Sequence, residues 1–167
     1  MIFAQVKALV STLNAAGVRY LLVGGLAVIA HGYTRLTQDI DVVLDLDDPL
    51  AVERALAALA GIGYRPRAPV PLAQFADPDL RRRWVVETDM IVFSLYRDAG
   101  EVTEVDLFIT APFPFDDAWR DRYLAEVDDG ITAPFIDLAR LCAMKESAGR
   151  PKDIEDVRIL RSLHDRS

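Results

Sequence analysis

The sequence predicts an α+β fold, in which a small mixed β-sheet is flanked by helices and two further helices close the chain. Three observations support this fold class: an N-terminal apolar stripe at helical spacing, several short apolar runs of strand length, and two helical segments near the C-terminus. With 167 residues, 51% of them hydrophobic, the chain is expected to fold as one domain. We expect a core over about residues 1–132 and a C-terminal helical pair over about residues 133–167.

Glycine and aspartate set the predicted boundaries in the first half of the chain. Gly17 is placed to end the first helix in the left-handed conformation, and Gly32 is placed to end a short helix. Asp47 or Asp48 is placed to cap the helix that follows the second strand. The predicted elements are a helix over 2–16, a strand over 18–23, a helix over 26–31, a strand over 39–44 and a helix over 49–60.

Proline and turn residues divide the second half. Four prolines between residues 62 and 79 predict a loop with little regular structure. Residues 83–87 and 90–96 are predicted to be paired strands, followed by a turn at 98–100. The remaining predicted elements are a strand over 102–109, a short helix over 115–120, an edge hairpin over 123–131, and helices over 135–148 and 151–164.

Asp39 and Asp41 stand at alternating positions of a predicted strand that follows a glycine pair, Gly24 and Gly25. Alternate side chains of a strand point to the same face, so the two Cα atoms would lie roughly 6 to 7 Å apart. Two carboxylates on one face suit Mg²⁺, which prefers oxygen ligands, or a pair of metal ions. Glycines permit close backbone approach, and a helix beginning near Leu26 would direct free N–H groups at an anion. The combination predicts phosphoryl or nucleotidyl transfer.

Each half of this motif has a structural alternative when it stands alone. A Gly-Gly pair is usually a turn, and Asp-x-Asp is more often a polar strand end than a metal site. Two aspartates beside a run as apolar as residues 40–44 are, however, costly to bury without a partner. We therefore expect a cation to meet Asp39 and Asp41.

Residues 18–45 resemble the signature of the polymerase-beta-like nucleotidyltransferase superfamily, which is a hydrophobic strand, Gly-Gly or Gly-Ser, a short helix and Asp-x-Asp on the next strand. Thirteen residues separate Gly25 from Asp39, in keeping with that pattern. The resemblance implies a nucleotidyltransferase fold, and outside this segment it extends only to the order of the elements. The fuller string is similar to the abortive-infection and toxin-type branch, with Gly24-Gly25-x-Ala27, His31-Gly32, Arg35, Thr37 and Asp39-Ile-Asp41.

The resemblance also implies a third carboxylate on a later strand. Asp106 lies in the apolar middle of the segment 101–110, and the resemblance makes it the third metal ligand. Glu104, two residues earlier on the same strand face, is the weaker candidate. The alternative for Asp106 is a structural aspartate paired with an arginine.

The last two predicted helices carry a cluster of charged residues. Branch members have a lysine on the penultimate helix and Arg-x-Lys-Asp-x-x-Asp at the start of the last one, and this chain has Lys145 and the string from Arg150 to Asp156. By resemblance, Lys145 contacts the nucleotide triphosphate, and Lys152 and Asp153 organise the pocket wall. Helix capping is the alternative for Lys152 and Asp156, since acidic residues in a first turn favour the helix dipole.

Three polar residues between the glycine pair and the aspartates have more than one interpretation. Arg35 and Thr37 are expected to hold the loop by side-chain hydrogen bonds, and a contact of Arg35 with a phosphate is the other option. His31 is expected to cap or pack at a helix end, because metal-dependent transfer can use a carboxylate or water as the base.

Composition limits the classes of partner. The net charge of −7 and the pI of about 4.8 argue against broad electrostatic binding to nucleic acid. Arg81-Arg82-Arg83 is either a local basic patch that contacts RNA or a solvated edge. The single cysteine, Cys142, cannot form an internal disulfide. We see no secretory signal and no apolar run of about 18 residues, so we expect a cytoplasmic protein without a membrane partner.

The resemblance implies transfer of a nucleoside monophosphate from a nucleoside triphosphate to a hydroxyl group. Asp39, Asp41 and Asp106 would hold Mg²⁺, or Mn²⁺ in its place. The acceptor is an RNA 3′ end, a protein hydroxyl or a small molecule, and the sequence does not choose among them. The alternative is a non-catalytic nucleotide-binding or partner module, such as a toxin–antitoxin subunit with an antitoxin-type protein partner. The presence of all three aspartates favours the enzyme.

Overall fold

The computed structural model describes residues 2–98 and 103–166, and in these residues a seven-stranded sheet is packed against α-helices. The helices are α1 (Ile2–Ala15), α2 (Gly24–Ala30), α3 (Pro49–Gly61), α4 (Pro78–Thr88), α5 (Phe115–Arg120), α6 (Leu138–Ala148) and α7 (Pro151–His164). The strands are β1 (Tyr20–Val23), β2 (Ile40–Leu44), β3 (Arg65–Pro66), β4 (Val92–Tyr96), β5 (Val105–Phe108), β6 (Tyr123–Asp128) and β7 (Ile131–Phe135).

The sheet is mixed, with strand order β3-β4-β5-β2-β1-β7-β6. The pairs β2–β5 and β1–β7 are parallel, and the other neighbours are antiparallel. This arrangement, closed by the helices α6 and α7, confirms the predicted α+β fold class.

The helices and central strands form because apolar residues recur at the matching period. In α1 the buried side chains follow the helical stripe, and β1 is buried along its whole length. The strands β4 and β5 alternate between buried and half-buried residues, so they give one face to the core and leave the other partly exposed. The half-buried face carries Ser94 and Asp106. One face of these two strands therefore completes the hydrophobic core, and the opposite face carries polar side chains.

The predicted strand over 83–87 is wrong, because these residues belong to the helix α4. Asp77 begins this helix by accepting hydrogen bonds from the N–H groups of Asp79 and Leu80, and Pro78 occupies its first position. The sequence of Trp84, Val85 and Val86 suits a strand locally. Trp84 instead stacks on Phe93 of β4, with ring centroids 5.2 Å apart. An N-terminal cap and one aromatic contact outweigh the local strand propensity.

Other boundaries differ by shorter segments. The predicted loop over 62–79 contains the short strand β3 and a 3₁₀ helix at Leu72–Ala76. Residues 135–137 do not begin the penultimate helix: Phe135 ends β7, and Asp137 caps α6 by accepting a hydrogen bond from the N–H of Arg140. Of the predicted turn at 98–100 and strand over 102–109, residues 99, 100 and 102 lie outside the described part of the chain.

The sheet topology brings the ends of three strands together. The strands β2 and β5 run parallel, and each carries an aspartate at its second residue. The strand β1 runs antiparallel to β2, so its carboxyl end, where Gly24 begins α2, lies beside the amino end of β2. Of the helices that the structure describes, none is both long and apolar enough to cross a membrane.

We expect Leu107→Ala to destabilise the protein, because Leu107 is fully buried between the two strand neighbours β2 and β4. Truncating a buried leucine costs about 2–5 kcal/mol in the free energy of unfolding. The measurement is chemical denaturation followed by circular dichroism. Leu36→Ala is the control, since Leu36 is 92% exposed and its truncation should change stability by less than about 0.5 kcal/mol. Equal effects from the two variants would contradict the position of β5 in the core.

Candidate active site

Asp41 and Asp106 are direct register partners on the parallel strands β2 and β5. On the far side of Asp106, Ser94 of β4 is its antiparallel partner, and the Ser94 hydroxyl donates a 2.6 Å hydrogen bond to Asp106 Oδ1. On the far side of Asp41, Val23 of β1 is its partner. The structure therefore brings together two of the three predicted carboxylates across neighbouring strands.

Gly24 is a glycine because the Asp41 carboxylate lies directly against it. Its φ is +64°, and a Cβ atom at this position would lie 2.1 Å from Asp41 Oδ2. No other residue could take this place without moving the carboxylate. The helix α2 begins here, two residues earlier than predicted.

Gly25 has a different neighbour. It is buried, and a Cβ atom there would lie 2.3 Å from Thr37 Oγ1 and 3.4 Å from a guanidinium nitrogen of Arg35. The second glycine thus allows the loop before β2 to pack closely on α2. Gly24 lines the cleft described below, whereas Gly25 does not.

Asp39 is exposed and precedes β2 by one residue. The next residue, Ile40, joins the sheet through its N–H group, which donates a 2.9 Å hydrogen bond to the carbonyl oxygen of Glu104. The charge of Asp39 acts on both Asp41 and Asp106. The third carboxylate therefore lies at the rim of the pair, on a loop rather than within a strand.

The cluster formed by Asp39, Asp41 and Asp106 is electrostatically unfavourable when all three carboxylates are ionised. Burial, followed by the negative charges of Asp106 and Asp39, raises the pKa of Asp41 to about 7. Burial also raises the pKa of Asp106, with the hydrogen bond from Ser94 acting in the opposite direction. Repulsion of this kind is relieved by a bound cation.

The donor atoms suit a hard divalent metal ion, since all are carboxylate oxygens at or just before the amino ends of the neighbouring strands β2 and β5. Within residues 2–98 and 103–166, however, no three carboxylate, imidazole or thiol side chains are arranged closely enough to surround one ion. The fit of Mg²⁺ to this site therefore rests on the donor chemistry and on the mutual repulsion of Asp41 and Asp106.

A network of ion pairs, largely buried except for the side chain of Arg150, holds α6, α7 and the loop before β2 together. The ammonium of Lys145 lies 3.2 Å from Asp153 Oδ1 and 2.9 Å from Asp156 Oδ2. Arg35 donates two 2.8 Å hydrogen bonds to the two oxygens of Asp156. Arg150 donates to Asp153 through its side chain and its backbone N–H. We refer to these five residues as the ion network.

The pKa values of the two network aspartates follow from these contacts. Burial opposes ionisation of Asp153, but hydrogen bonds from Arg150 and Lys145 hold its pKa below the usual value. Burial likewise opposes ionisation of Asp156, and Arg35 and Lys145 lower its pKa. Both aspartates are therefore paired anions in the folded protein, in contrast to Asp41.

A cleft of about 780 Å³ connects the carboxylates with the ion network. Gly24, Asp41, Asp106, Lys145, Arg150 and Asp153 contribute to its polar side, and Arg140 also lines it. The apolar part of its lining includes Ile91, Val92, Phe108, Pro112, Phe113 and Met144. A second depression, of about 610 Å³ along α7, has none of Asp39, Asp41 or Asp106 in its wall.

The remaining candidates lie away from the cleft. Lys152 is exposed on α7 and Arg35 is held by Asp156, and neither lines the cleft. His31 is at the end of α2, as predicted, where its Nε2 lies 2.8 Å from the carbonyl oxygen of Ile136 and its ring stacks on Tyr123.

The arginine run at 81–83 does not form a free basic patch. Arg81 is buried and donates to the carbonyl oxygen of Phe75, Arg82 pairs with Asp79, and Arg83 pairs with Glu87.

Sequence reasoning missed Ser94 and the apolar side of the cleft. The position of Ser94 becomes meaningful only through its register with Asp106, which depends on the pairing of two strands. Alternation in the segment 92–96 would have placed Val92 and Ser94 on the same face, and that is the one signal the sequence offers.

The raised pKa of Asp41 predicts a pH-dependent stability. Between its ordinary value of 3.8 and about 7, Asp41 retains a proton in the folded protein that it loses in the unfolded chain. Its ionisation therefore destabilises the fold progressively as pH rises through this window. Asp41→Asn removes that cost, so its Tm should exceed that of the wild type by roughly 3–8 °C at pH 8 in the presence of a chelator. The excess should vanish near pH 4 in the same circular dichroism melts, and an excess independent of pH would contradict the assignment.

No protein-family model matches the chain, and no curated protein matches its sequence. Solved structures do match its fold, among them the crystal structure of the lincosamide antibiotic adenylyltransferase LnuA with lincomycin bound. The TM-score is 0.56 and the identity 16%, with 90% of each chain covered. An identity this low shows the fold alone. The chain therefore has a nucleotidyltransferase-like fold, as predicted, and its membership of the abortive-infection and toxin-type branch stays a prediction.

Proposed function

We propose that this protein is a metal-dependent nucleotidyltransferase that transfers a nucleoside monophosphate from a nucleoside triphosphate to a hydroxyl group. The observation that carries the proposal is the pair Asp41 and Asp106, level on parallel strands and open to the cleft beside Gly24. A structural pair would be expected to have a cationic partner in direct contact. Within the described part of the chain, the side chain of Asp106 accepts a hydrogen bond from Ser94, which carries no charge. The fold, which is shared with LnuA, supports the same conclusion.

Asp41 and Asp106 would hold Mg²⁺, with Mn²⁺ as a substitute, and the exposed side chain of Asp39 would have to turn toward them to become a third ligand. A divalent ion bound there would neutralise charge on the phosphates of the triphosphate and favour departure of pyrophosphate. The carboxylates bind and orient, and Ser94 keeps Asp106 directed into the cleft through its hydrogen bond. Gly24 lets Asp41 lie against the backbone at the start of α2.

Two cations of the ion network supply positive charge to the wall of the cleft. Lys145 and Arg150 line the cleft, and both charges act on Asp41 by lowering its pKa against the larger effect of burial. A polyanionic triphosphate between the carboxylates and this wall would face cations on one side and metal on the other. Arg35 contributes by holding the loop that carries Asp39, and Lys152 could act only at the outer edge, outside the cleft wall.

A small-molecule hydroxyl is the acceptor that the cleft supports best. Its apolar side, which includes Phe108, Phe113 and Met144, suits a partly apolar molecule. An RNA acceptor needs cations for its phosphates, but the arginines at 82 and 83 are paired with carboxylates and the net charge is −7. LnuA is itself an antibiotic adenylyltransferase with lincomycin bound. A protein acceptor and an antitoxin-type partner stay predictions of the sequence.

Metal and nucleotide together should stabilise the folded protein by mass action. We expect millimolar Mg²⁺ with ATP, CTP, GTP or UTP to raise the Tm of the wild type, because the cation relieves the repulsion of Asp41 by Asp106. The measurement is a thermal melt with and without each component. Asp129→Asn, in the exposed turn between β6 and β7, is the control and should respond as the wild type does. Absence of any shift in the wild type would count against the metal site.

Transfer itself is tested with α-³²P-labelled nucleoside triphosphates, Mg²⁺ and separate acceptor pools of total RNA, protein and small metabolites. We expect label in the small-molecule pool. Asp106→Asn should reduce the rate at least about 100-fold, since even residues behind a metal ligand cost about 10- to 100-fold when removed. Asp129→Asn should leave the rate unchanged. If the wild type labels none of the three pools, the non-catalytic partner module becomes the better proposal, and undiminished labelling by Asp106→Asn would refute the metal mechanism.

A further inference from the structure

We propose that Arg150, rather than Lys145, is the cation that moves to bind the triphosphate, and that Asp153 is its resting partner in the free protein. Lys145 then serves as the stationary charge that keeps Asp153 and Asp156 paired. This assignment rests on the proposed function, because it concerns the ligand of the same cleft.

Exposure separates the two cations of the cleft wall. The side chain of Lys145 is 9% exposed, whereas that of Arg150 is 74% exposed, although both line the same cleft. An exposed side chain changes its rotamer within picoseconds to nanoseconds, whereas a buried one must displace its neighbours. Arg150 can therefore reach a ligand that enters the cleft.

The hydrogen bonding of Asp153 permits Arg150 to leave. When the guanidinium departs, the buried carboxylate keeps the ammonium of Lys145 at 3.2 Å and the backbone N–H of Arg150 at 3.3 Å. Departure of Lys145 would instead remove one cation from Asp153 and from Asp156 at once. A buried carboxylate that loses its partners is costly, so the release of Arg150 is the less expensive of the two.

The backbone on either side of Arg150 is well anchored, so motion is confined to the side chain. Gly149 ends α6 in the left-handed conformation with φ +67°, and Pro151 occupies the first turn of α7. Arg150 is the N-cap residue of this 14-residue helix. Its charge already interacts with that of Asp41, which raises the pKa of Arg150 after the larger effect of Asp153. The guanidinium therefore bonds to its resting carboxylate while it stays within electrostatic reach of Asp41.

The other cations near the cleft have less freedom. Arg140, which also lines the cleft, bonds to Asp121 at 2.9 Å and to Asp137 at 2.8 Å, and its side chain is 26% exposed. Arg35 is held by both oxygens of Asp156 and does not line the cleft. A guanidinium can bind a phosphate through two parallel hydrogen bonds, which an ammonium cannot do. Arg150 has a guanidinium that can form both hydrogen bonds, and its exposed side chain can reach a ligand in the cleft.

The experiment measures binding of ATP and of inorganic triphosphate by isothermal titration calorimetry, with Mg²⁺ and without an acceptor. We expect Arg150→Gln to raise the Kd for both ligands at least about 10-fold while changing the Tm of the free protein by less than about 2 °C. Arg150→Lys should recover part of the affinity, since it restores the charge without the two-pronged geometry. Lys145→Met should lower the Tm by more than 5 °C, because it leaves two buried carboxylates without that cation.

Arg158→Gln is the matched control. Arg158 lies on the same helix, is 67% exposed and pairs with a carboxylate three residues away, as Arg150 does, but it does not line this cleft. It should leave the Kd for both ligands within about twofold of the wild type.

The possible failures are distinguishable. If the wild type binds ATP and Arg150→Gln binds it equally well, the inference is overturned and the proposed function stands. If Arg150→Gln loses affinity together with more than about 5 °C of Tm, Arg150 is a structural residue and the inference is also overturned. If the wild type binds neither ATP nor inorganic triphosphate, the proposed function fails, and the inference fails with it.

Discussion

Two like-charged carboxylates lie at the same level on neighbouring parallel strands, and the rest of the site is arranged around their repulsion. The pair Asp41 and Asp106 follows from the register of β2 with β5, so it cannot be separated without shifting the sheet. A glycine beside Asp41 and a serine beside Asp106 hold the carboxylates in place without neutralising them. A protein selected for stability alone would gain from a cation or an apolar residue at this point. Lys145 and Arg150 offset this repulsion only in part, because the pKa of Asp41 is still raised, and a raised pKa is in keeping with the cation site proposed above.

The ion network solves the opposite problem, because there every buried charge has a partner. Lys145 connects two aspartates of α7, and Asp156 passes the connection on to Arg35 in the loop before β2. This chain of contacts joins the last two helices to the segment that carries Asp39. The two helices therefore help to hold the carboxylate site in place, although both begin more than 90 residues after Asp41 in the sequence. Removal of Lys145 would take a cation from two buried carboxylates at once, whereas Asp153 keeps Lys145 when the guanidinium of Arg150 leaves.

Much of the fold was predictable because its signals are local. The apolar stripe of α1, the cap at Asp48 and the proline at the start of α7 each specify an element within a few residues. The error at α4 has the same origin: β-branched residues near Trp84 favour a strand, and the stacking of Trp84 on Phe93 is a contact between elements that no local pattern records. The prediction from sequence was therefore wrong where a tertiary contact outweighed the local strand propensity.

The sequence by itself determined the chemical types available to the site: a glycine pair and two aspartates recognisable by their spacing, and a third aspartate and a basic cluster near the last helix implied by the family resemblance. Only the tertiary structure decided how they are used. In the folded chain, Gly24 lies against Asp41 and Gly25 lies against Thr37. Lys145 is paired with two aspartates, whereas the side chain of Arg150 stays exposed. The physical reason is that burial and partnership depend on which elements pack together, and spacing along the chain does not contain that information. Charge is a property of the residue, whereas its availability to a ligand is a property of the fold.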